Sequence, residues 1–189
     1  MRLHYNSPVI LTYAFISLGV LLVGEFFSQN FVINFFAVYR TSFSDPLAYF
    51  RVFSYVFGHA NFNHFFGNIS MLLLIGPMIE EKYSSKVLII MMIASTLIGG
   101  IAHLLFFSAA ALGASGIVFM LILLTPFTNM QRGRIPITFI LVALVFIGRE
   151  VFYAITIEDN VSRFGHIIGG ASGAAMGYFA SSNKRGASR

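Results

Sequence analysis

The chain has 189 residues, of which 57% are hydrophobic and only 10% are charged, and its mean hydropathy is +0.81. A soluble domain carries about 25% charged residues, so this composition excludes an ordinary soluble protein and indicates a membrane protein. The sequence has no cysteine, which excludes disulfides and thiolate sites, and no nucleic-acid-binding module accompanies its net charge of +5.

Six apolar stretches are long enough to cross a membrane as helices. A hydrocarbon core about 30 Å thick needs about 20 apolar residues per helix. We predict an all-α membrane protein with six transmembrane helices, forming a single domain over residues 1–189 with a six-span core at 8–181 and a short basic tail at 182–189. The predicted spans are residues 8–27, 62–80, 87–107, 113–130, 135–153 and 164–181.

The first of these stretches follows Arg2 and could be read as a signal peptide. Its apolar run is long, and no small-x-small cleavage site separates it from the following "GEFFSQN". We therefore expect it to remain as a membrane span. The longest segment outside the spans is then residues 29–61.

The distribution of basic residues predicts the orientation of the spans. With the amino terminus inside, eight of the 12 lysines and arginines fall on inner segments and four on outer ones, as the positive-inside rule requires. We therefore expect both termini in the cytoplasm, and the second, fourth and sixth spans begin in the same outer leaflet. The inner set is Arg2, Lys82, Lys86, Arg132, Arg134, Lys184, Arg185 and Arg189, and the outer set is Arg40, Arg51, Arg149 and Arg163.

Unusual polar residues gather where these three spans begin. The second opens with "GHANFNHFFGN", the fourth with "GASG" and the sixth with "FGHIIGGASG", so their polar side chains are expected at a similar depth. Histidine inside a membrane is costly and is by default a sign of a functional site. The polar residues are His59, His64, Asn68, Ser115 and His166.

Each of these side chains also has a purely structural interpretation. A serine in a membrane helix commonly bonds its own backbone or a neighbouring helix. His64 and Asn68 lie four residues apart on one helix face and could hold two helices together. His59 could be a structural hydrogen-bonding residue, and His166 could have a packing role. His103, near the outer end of the third span, is expected to be an interface residue.

Glycines recur at every fourth position of the sixth span, and such a stripe lets another helix backbone approach closely. The stripe begins three residues after His166. If the neighbour is the fourth span, where Gly113 and Gly116 leave room around Ser115, the hydroxyl and the imidazole can meet. A nucleophile and its base need about 2.6–3.2 Å between heavy atoms. The stripe consists of Gly169, Gly173 and Gly177.

Three motifs, in this order along the chain, resemble those of the rhomboid intramembrane serine proteases. "HANFNHFFGN" matches a His-x4-His-x3-Asn pattern, "GASG" matches the Gly-x-Ser-Gly nucleophile motif, and "HIIGGASG" matches a His-x2-Gly-x3-Gly motif. The resemblance covers residues 8–181. It implies a rhomboid-like bundle of six helices that hydrolyses peptide bonds in or near the membrane-spanning segments of other proteins.

The resemblance implies a role for each matching residue. Ser115 is the expected nucleophile and His166 its general base, a dyad without the carboxylate of the usual triad. The expected oxyanion donors are His64, Asn68 and the backbone N–H of Ser115, because preorganised donors stabilise the charge that develops on the attacked carbonyl. The other matches are the supporting residues His59, Gly113, Gly116 and Arg51 and the helix-packing residues Gly169 and Gly173.

The sequence departs from the family pattern at a few positions. Phe119, one turn after the nucleophile, stands where many bacterial relatives have a tyrosine, and its ring can pack against an imidazole but donates no hydrogen bond. Phe50 stands where a tryptophan is frequent. Ser84 replaces the last glycine of an inner Gly-x3-Glu-x3-Gly motif, which Gly76 and Glu80 otherwise match. These differences bear on the fine geometry of the site and not on the expected class of reaction.

The family also implies substrates, which are single-span membrane proteins whose helix unwinds near the outer surface beside a small residue. Aromatic residues of the fifth span could form a lateral gate, although ordinary lipid-facing side chains are the simpler interpretation. The loop 154–163 could cover the cavity, as lids often do. The aromatic residues are Phe139, Phe146, Phe152 and Tyr153.

Three other functions remain open at this point. An inactive relative that only binds membrane clients would usually have lost Ser115 or His166, and both are present. A zinc site could be built from His59, His64 and His166, but no carboxylate lies nearby to complete the usual set of ligands. A transporter would be expected to show internal repeats and broken helices, and this sequence has no such repeat.

No cofactor, no metal and no nucleic acid are expected. The expected partners are the lipid bilayer and single-span protein substrates, and one chain is sufficient for the site. The basic tail "NKRGASR" and the minimal architecture favour a bacterial cytoplasmic membrane, with the site opening to the outer face.

Overall fold

The computed structural model describes residues 5–129, 134–156 and 160–183, apart from the side chains of residues 129, 146–147, 149–156, 160–164 and 181–183. Helices dominate this part of the chain, and one isolated antiparallel bridge joins Val38 to Ala111. The helices are α1 (Pro8–Phe26), α2 (Gln29–Phe36), α3 (Pro46–Ser54), α4 (Phe62–Tyr83), α5 (Ser85–Phe106), α6 (Ser115–Leu124), α7 (Ile137–Thr156) and α8 (Asn160–Asn183).

Three of the described helices, α1, α4 and α5, are long and apolar enough to cross a membrane. The apolar segment Ser115–Thr128, which contains α6, is shorter. The prediction of an all-α membrane protein is confirmed by these helices, whereas the number of six spans stays a prediction.

α6 lies at the centre of the bundle. After Ser115 its residues are apolar and mostly buried on every side, and Met120, Leu121 and Leu124 are fully buried. α4, α5, α7 and α8 all contact it. A helix that is hydrophobic all round is expected to be enclosed by other elements, and α6 follows that rule.

The α-helix of the predicted fourth span, roughly residues 113–130, is shorter than the prediction at both ends. Gly113 has a φ of +125°, which is not a helical conformation, and Ala114 is the N-cap residue, so that Ser115 is the first residue of α6. The helix ends at Leu124 and a short 3₁₀ turn follows at Thr125–Asn129. Pro126 lies in this turn, where its missing N–H and its ring oppose a further α-helical turn.

The predicted loop 154–163 was also wrong in extent. α7 continues to Thr156 and α8 begins at Asn160, so most of that segment is helical. Residues 157–159, between the two helices, lie outside the described residues. The idea that this segment covers a cavity therefore stays a prediction.

The amino-terminal end of α1 is held by a carboxylate of α4. Glu80 is 4% exposed and accepts hydrogen bonds from the backbone N–H groups of Val9 and Ile10, at 3.1 and 3.2 Å. The hydroxyl of Ser85 donates to the same carboxylate at 2.6 Å. The first N–H groups of a helix have no partner within it, and a negative charge there is favourable. Glu80 therefore caps α1 and links it to both α4 and α5.

The turn between α4 and α5 consists of Ser84, whose φ is 74° and ψ is 154°. This region of backbone conformation is almost restricted to glycine. One turn before Glu80, a Cβ built on Gly76 would lie 2.7 Å from Cγ1 of Ile10, so α1 and α4 pack closely. The inner motif thus joins three helices, and Ser84 stands where the backbone conformation suits the glycine of the family pattern.

Arg51 organises the segment between α1 and α4. Its side chain is buried, donates to the carbonyl oxygen of Asn34 at 3.3 Å and forms an ion pair with Asp45. The guanidinium carbon lies 4.5 Å from the centre of the Tyr39 ring, within cation–π range. Asp45 also accepts from the N–H of Leu47 at 2.9 Å and so caps α3. Its hydrogen bond with Arg51 lowers the pKa of the Asp45 carboxyl.

Candidate active site

A cavity of about 930 Å³ lies between α4, α6, α8 and the loop that connects α5 to α6. Ser115, His166, His64 and Asn68 all line this cavity. The structure therefore brings the predicted nucleophile, the predicted base and the two predicted oxyanion side chains to one place. They come from three separate helices, which the chain must fold to bring together.

Ser115 is presented by a sharp turn. The N–H of Gly113 donates to the carbonyl of Tyr55 at 3.0 Å, and the positive φ of Gly113 turns the chain into α6. A Cβ built on Gly113 would lie 2.7 Å from Cε1 and 2.8 Å from Nε2 of the His64 ring. Glycine is therefore required here for two reasons, the backbone conformation and the space that the imidazole occupies. Ser115 itself is half-buried.

His166 reaches the site because α8 packs against α6 backbone to backbone. A Cβ built on Gly169 would overlap the carbonyl oxygen of Gly116 and lie 2.8 Å from its Cα, and one built on Gly173 would lie 2.8 Å from Cα of Met120. Any side chain at these positions would force the two helices apart. The glycine stripe thus sets the distance between the helix that carries Ser115 and the helix that carries His166.

The imidazole of His166 lies against the ring of Phe119. Their ring centres are 4.3 Å apart and the ring planes are inclined by 39°. Phe119 is buried and belongs to the turn of α6 that follows Ser115. The phenylalanine therefore supplies the ring packing that the sequence predicted at this position.

His64 is held at the start of α4, where its backbone N–H donates to the Asn61 side chain at 2.9 Å. The N–H of Ala60 donates to Nδ1 of the His64 ring at 3.5 Å. We assign the ring proton to Nε2 because Nδ1 is placed to accept this long contact, and Nε2 is the atom that lies beside Gly113. The ring thus directs an N–H donor toward the turn that presents Ser115.

Asn68 lies one helical turn after His64 and is 9% exposed. Its Nδ2 atom is 3.5 Å from the position that a Cβ on Gly113 would take. Nδ2 is buried and has no hydrogen-bond partner in the part of the chain that the structure describes. Buried amide donors are normally paired, so this one is available for an acceptor that enters the cavity.

His59 lies just before α4 and is 1% exposed. It packs edge-on against the His64 ring, with 5.1 Å between ring centres, and its Nδ1 lies 3.3 Å from the carbonyl oxygen of Phe57. Burial, together with the neighbouring His64, lowers the pKa of His59 to about 4. The neutral His59 ring supports His64 by packing against its ring, and His59 itself does not line the cavity.

Arg51, Gly169 and Gly173 are likewise absent from the cavity wall. Arg51 acts on the segment before α4, and the two glycines act on the spacing of α6 and α8. Of the predicted gate residues, Phe139 packs against Phe127 with 4.8 Å between ring centres. Phe146, Phe152 and Tyr153 belong to the residues whose side chains lie outside the description.

The sequence patterns did not identify one of the residues that line the cavity. His103, expected at an interface, is 3% exposed and lines the same cavity as Ser115. The cost of burying a histidine in a membrane helix was the signal that could have identified it. The position of His103 in the sequence could not identify it, because the loop that it contacts is placed by tertiary structure.

The fold and this cavity define a class of protein. It is a helical membrane protein with a serine and a histidine in a cavity where α4, α6 and α8 meet. Comparison of the sequence with known families agrees with that class: the Rhomboid domain family matches residues 46–183. The chain belongs to the rhomboid family, which confirms the resemblance seen in its motifs. The same membership, together with the apolar helices, makes it an integral membrane protein.

A curated relative is also similar to this chain. It is the "RHOMBOID-like protein 12, mitochondrial" of Arabidopsis thaliana, 24% identical over 197 aligned residues. The alignment covers 92% of this chain and 58% of the relative. The chain thus spans somewhat more than half the length of that protein.

Proposed function

We propose that this protein is an intramembrane serine endopeptidase in which Ser115 is the nucleophile and His166 the general base. The observation that supports this most is that both residues line one cavity, with Phe119 packed against the imidazole. Membership of the rhomboid family agrees with this chemistry. No cofactor is needed for it.

The proposed reaction has two steps. His166 takes the proton of the Ser115 hydroxyl as the oxygen attacks the substrate carbonyl, and it returns that proton to the leaving amine as the peptide bond breaks. Water then attacks the acyl-enzyme while His166 takes a proton from it; the ester bond to Ser115 breaks, the new carboxyl group is released, and His166 returns the proton to the serine oxygen. Because His166 takes the serine proton in the first step, the imidazole must begin neutral.

The charge that develops on the attacked carbonyl oxygen requires donors. We assign this role to Nε2–H of His64, Nδ2–H of Asn68 and the backbone N–H of Ser115. The buried Nδ2 of Asn68, which has no hydrogen-bond partner among the described residues, supports the assignment, because such a donor is already desolvated before an oxyanion forms. Loss of one such donor typically lowers turnover about 10²–10³-fold.

For the substrate we propose single-span membrane proteins, cut where the helix unwinds near the surface next to a small residue. The positive-inside count supports an orientation with both termini in the cytoplasm and the cavity opening to the outer face. We propose a bacterial cytoplasmic membrane as its location. The mitochondrial name of the plant relative makes an organelle membrane the alternative to test.

Labelling with a fluorophosphonate probe tests the proposed nucleophile directly. The purified protein in detergent is compared with Ser115→Ala, His166→Ala and the control Ser172→Ala. Ser172 is also a serine of a membrane helix, but it bonds Ser95 at 2.9 Å and its own backbone. We expect labelling of the wild type and the control and none of Ser115→Ala or His166→Ala, with all four proteins folded.

A folded wild-type protein that does not react would overturn the proposal. It would then favour the second reading of the sequence, a catalytically inactive rhomboid-like protein that binds membrane clients. Cleavage of a single-span substrate in liposomes, measured on the same variants, separates an active enzyme from a protein that merely carries a reactive serine.

A further inference from the structure

The loop between α5 and α6, residues 107–114, leads directly to Ser115 and forms one wall of the cavity. Backbone pairs hold it near both ends. Arg40 donates to the carbonyl of Phe107 at 3.1 Å, while Val38 and Ala111 exchange two hydrogen bonds of 2.8 and 2.9 Å. Ala109 and Ala110, between these pairs, are exposed to the cavity.

His103 contacts this exposed middle of the loop. Its Nε2 lies 2.7 Å from the carbonyl oxygen of Ala109, and its ring stacks on Phe107 with 5.2 Å between ring centres and an angle of 21°. A neutral imidazole can bond a carbonyl only through a ring N–H, so Nε2 carries the proton and donates. His103 as a whole is 3% exposed, so the imidazole makes this short contact from an otherwise buried position.

We propose that His103 is a positioning residue, whose hydrogen bond to Ala109 holds the α5–α6 loop as the cavity wall along which the substrate lies. The substrate named in this proposal is the one given under the proposed function, and the proposal rests on that function to this extent. The hydrogen bond acts on the backbone of the loop, and neither proton transfer nor oxyanion binding is assigned to His103. Its loss should therefore weaken substrate binding more than the reactivity of Ser115.

Three substitutions separate the hydrogen bond from the ring packing. His103→Phe keeps a ring against Phe107 and removes the donor, and His103→Gln restores a donor of similar reach. Phe107→Leu removes the ring contact and keeps the histidine. A buried hydrogen bond contributes on the order of 1 kcal/mol net, so we expect His103→Phe to raise KM for a single-span substrate about threefold to tenfold.

The three readouts are KM and kcat for that substrate, the rate of fluorophosphonate labelling of Ser115, and backbone amide exchange of residues 108–111. We expect His103→Phe to raise KM and speed exchange while the labelling rate stays within about twofold of wild type, and His103→Gln to return both toward wild type. If His103→Phe does not fold, His103→Asn, which is too short to reach Ala109, takes its place.

Unchanged KM and unchanged exchange in His103→Phe would overturn the proposal. So would an equal loss of labelling and cleavage in both His103→Phe and His103→Gln, since the histidine would then support the whole site. A wild-type protein that is not labelled would refute the proposed function alone. In that case the exchange measurement decides whether His103 holds the loop. Faster exchange in His103→Phe that His103→Gln returns toward wild type would support the proposal. Equal exchange in wild type and His103→Phe would refute it.

Discussion

Glu80 and Asn68 are both buried polar residues of α4, about three turns apart, and their surroundings differ. The Glu80 carboxylate accepts three hydrogen bonds, from two N–H groups of α1 and from Ser85. The Nδ2 atom of Asn68 is also buried and donates to nothing in the described chain. The polar group near the end of α4, the Glu80 carboxylate, is thus fully hydrogen-bonded. The one near its beginning, Asn68 Nδ2, has no acceptor among the described residues.

The same contrast appears in how neighbouring helices are joined at the two ends. Around Glu80, a side chain bridges α1, α4 and α5. Near Ser115, the backbones of α6 and α8 approach each other directly at Gly169 and Gly173. A buried polar group that is satisfied stabilises the fold, whereas one left unpaired costs free energy. The difference indicates that the first end serves stability and the second end retains a binding capacity.

The largest effect is expected from Gly169→Ala. The new Cβ would overlap the carbonyl of Gly116, against an ordinary contact of 3.4–4 Å, so α8 must move away from α6. A misplacement of about 1 Å can lower a rate about 10²-fold, and here it separates the base from the nucleophile. We expect substrate cleavage to fall at least about 100-fold. Gly148→Ala, where a Cβ meets no described atom within 4 Å, should keep wild-type activity. Wild-type cleavage by Gly169→Ala would show that the glycine contact does not set the site.

The second prediction concerns the unpaired donor. Asn68→Ala should lower kcat about 10²–10³-fold and leave the thermal unfolding temperature in detergent almost unchanged, because the amide N–H that is lost bonds none of the described residues. Asn63→Ala is the matched control, since Asn63 lines the same cavity and is exposed. If Asn68→Ala instead unfolds the protein with normal kcat in the folded fraction, Asn68 belongs with Glu80 as a structural residue.

Glu80→Ala should show the opposite pattern. It leaves two N–H groups of α1 and the Ser85 hydroxyl without their acceptor, and removal of a buried charged acceptor costs roughly 2–3 kcal/mol. We expect the free energy of unfolding to fall by about that amount, while the folded fraction keeps its labelling rate at Ser115. Glu81→Ala, at an exposed neighbouring position, should change neither quantity. If folded Glu80→Ala lost its labelling at Ser115, Glu80 would also act on the site. The distinction between a stabilising end and a binding end of α4 would then fail.

Ser84→Gly tests the inner end in the stabilising direction. The φ of 74° and ψ of 154° cost a residue with a side chain about 1–3 kcal/mol, and glycine gives back part of that gain through the entropy of its unfolded state. We expect a net stabilisation of about 1 kcal/mol, measured as a higher unfolding temperature in detergent. Ser85→Gly, which loses a bond to Glu80, should destabilise instead.

The smallest expected effect is a dependence of stability on pH through Asp45. Its pKa is lowered in the folded protein, so its contribution is fully present above the unfolded pKa of about 3.9 and is lost as the pH falls through the folded value. Asp45→Asn keeps an N-cap residue and removes the charge. The unfolding temperatures of wild type and variant should differ at neutral pH and converge below about pH 4. A constant difference would show that Arg51 does not act through this charge.

Composition and motif order alone were enough for the class of protein. Low charge and long apolar stretches indicated a helical membrane protein because the hydrocarbon core tolerates only internally bonded backbone. "GASG" and "HIIGGASG" indicated the family. Helix boundaries were predicted less well, since apolar content continues through Gly113 and through Thr125–Asn129 while backbone conformation and Pro126 end the helix.

What the sequence by itself determined is the set of chemical groups, their order and the glycines that permit close packing. Tertiary structure alone decided which groups meet: that His64 touches Gly113, that Phe119 packs on His166, that Glu80 caps α1, and that His103 bonds Ala109 in the cavity wall. The physical reason is that each of these contacts joins segments whose approach depends on the angle and depth at which whole helices pack. No local pattern of residues encodes that geometry.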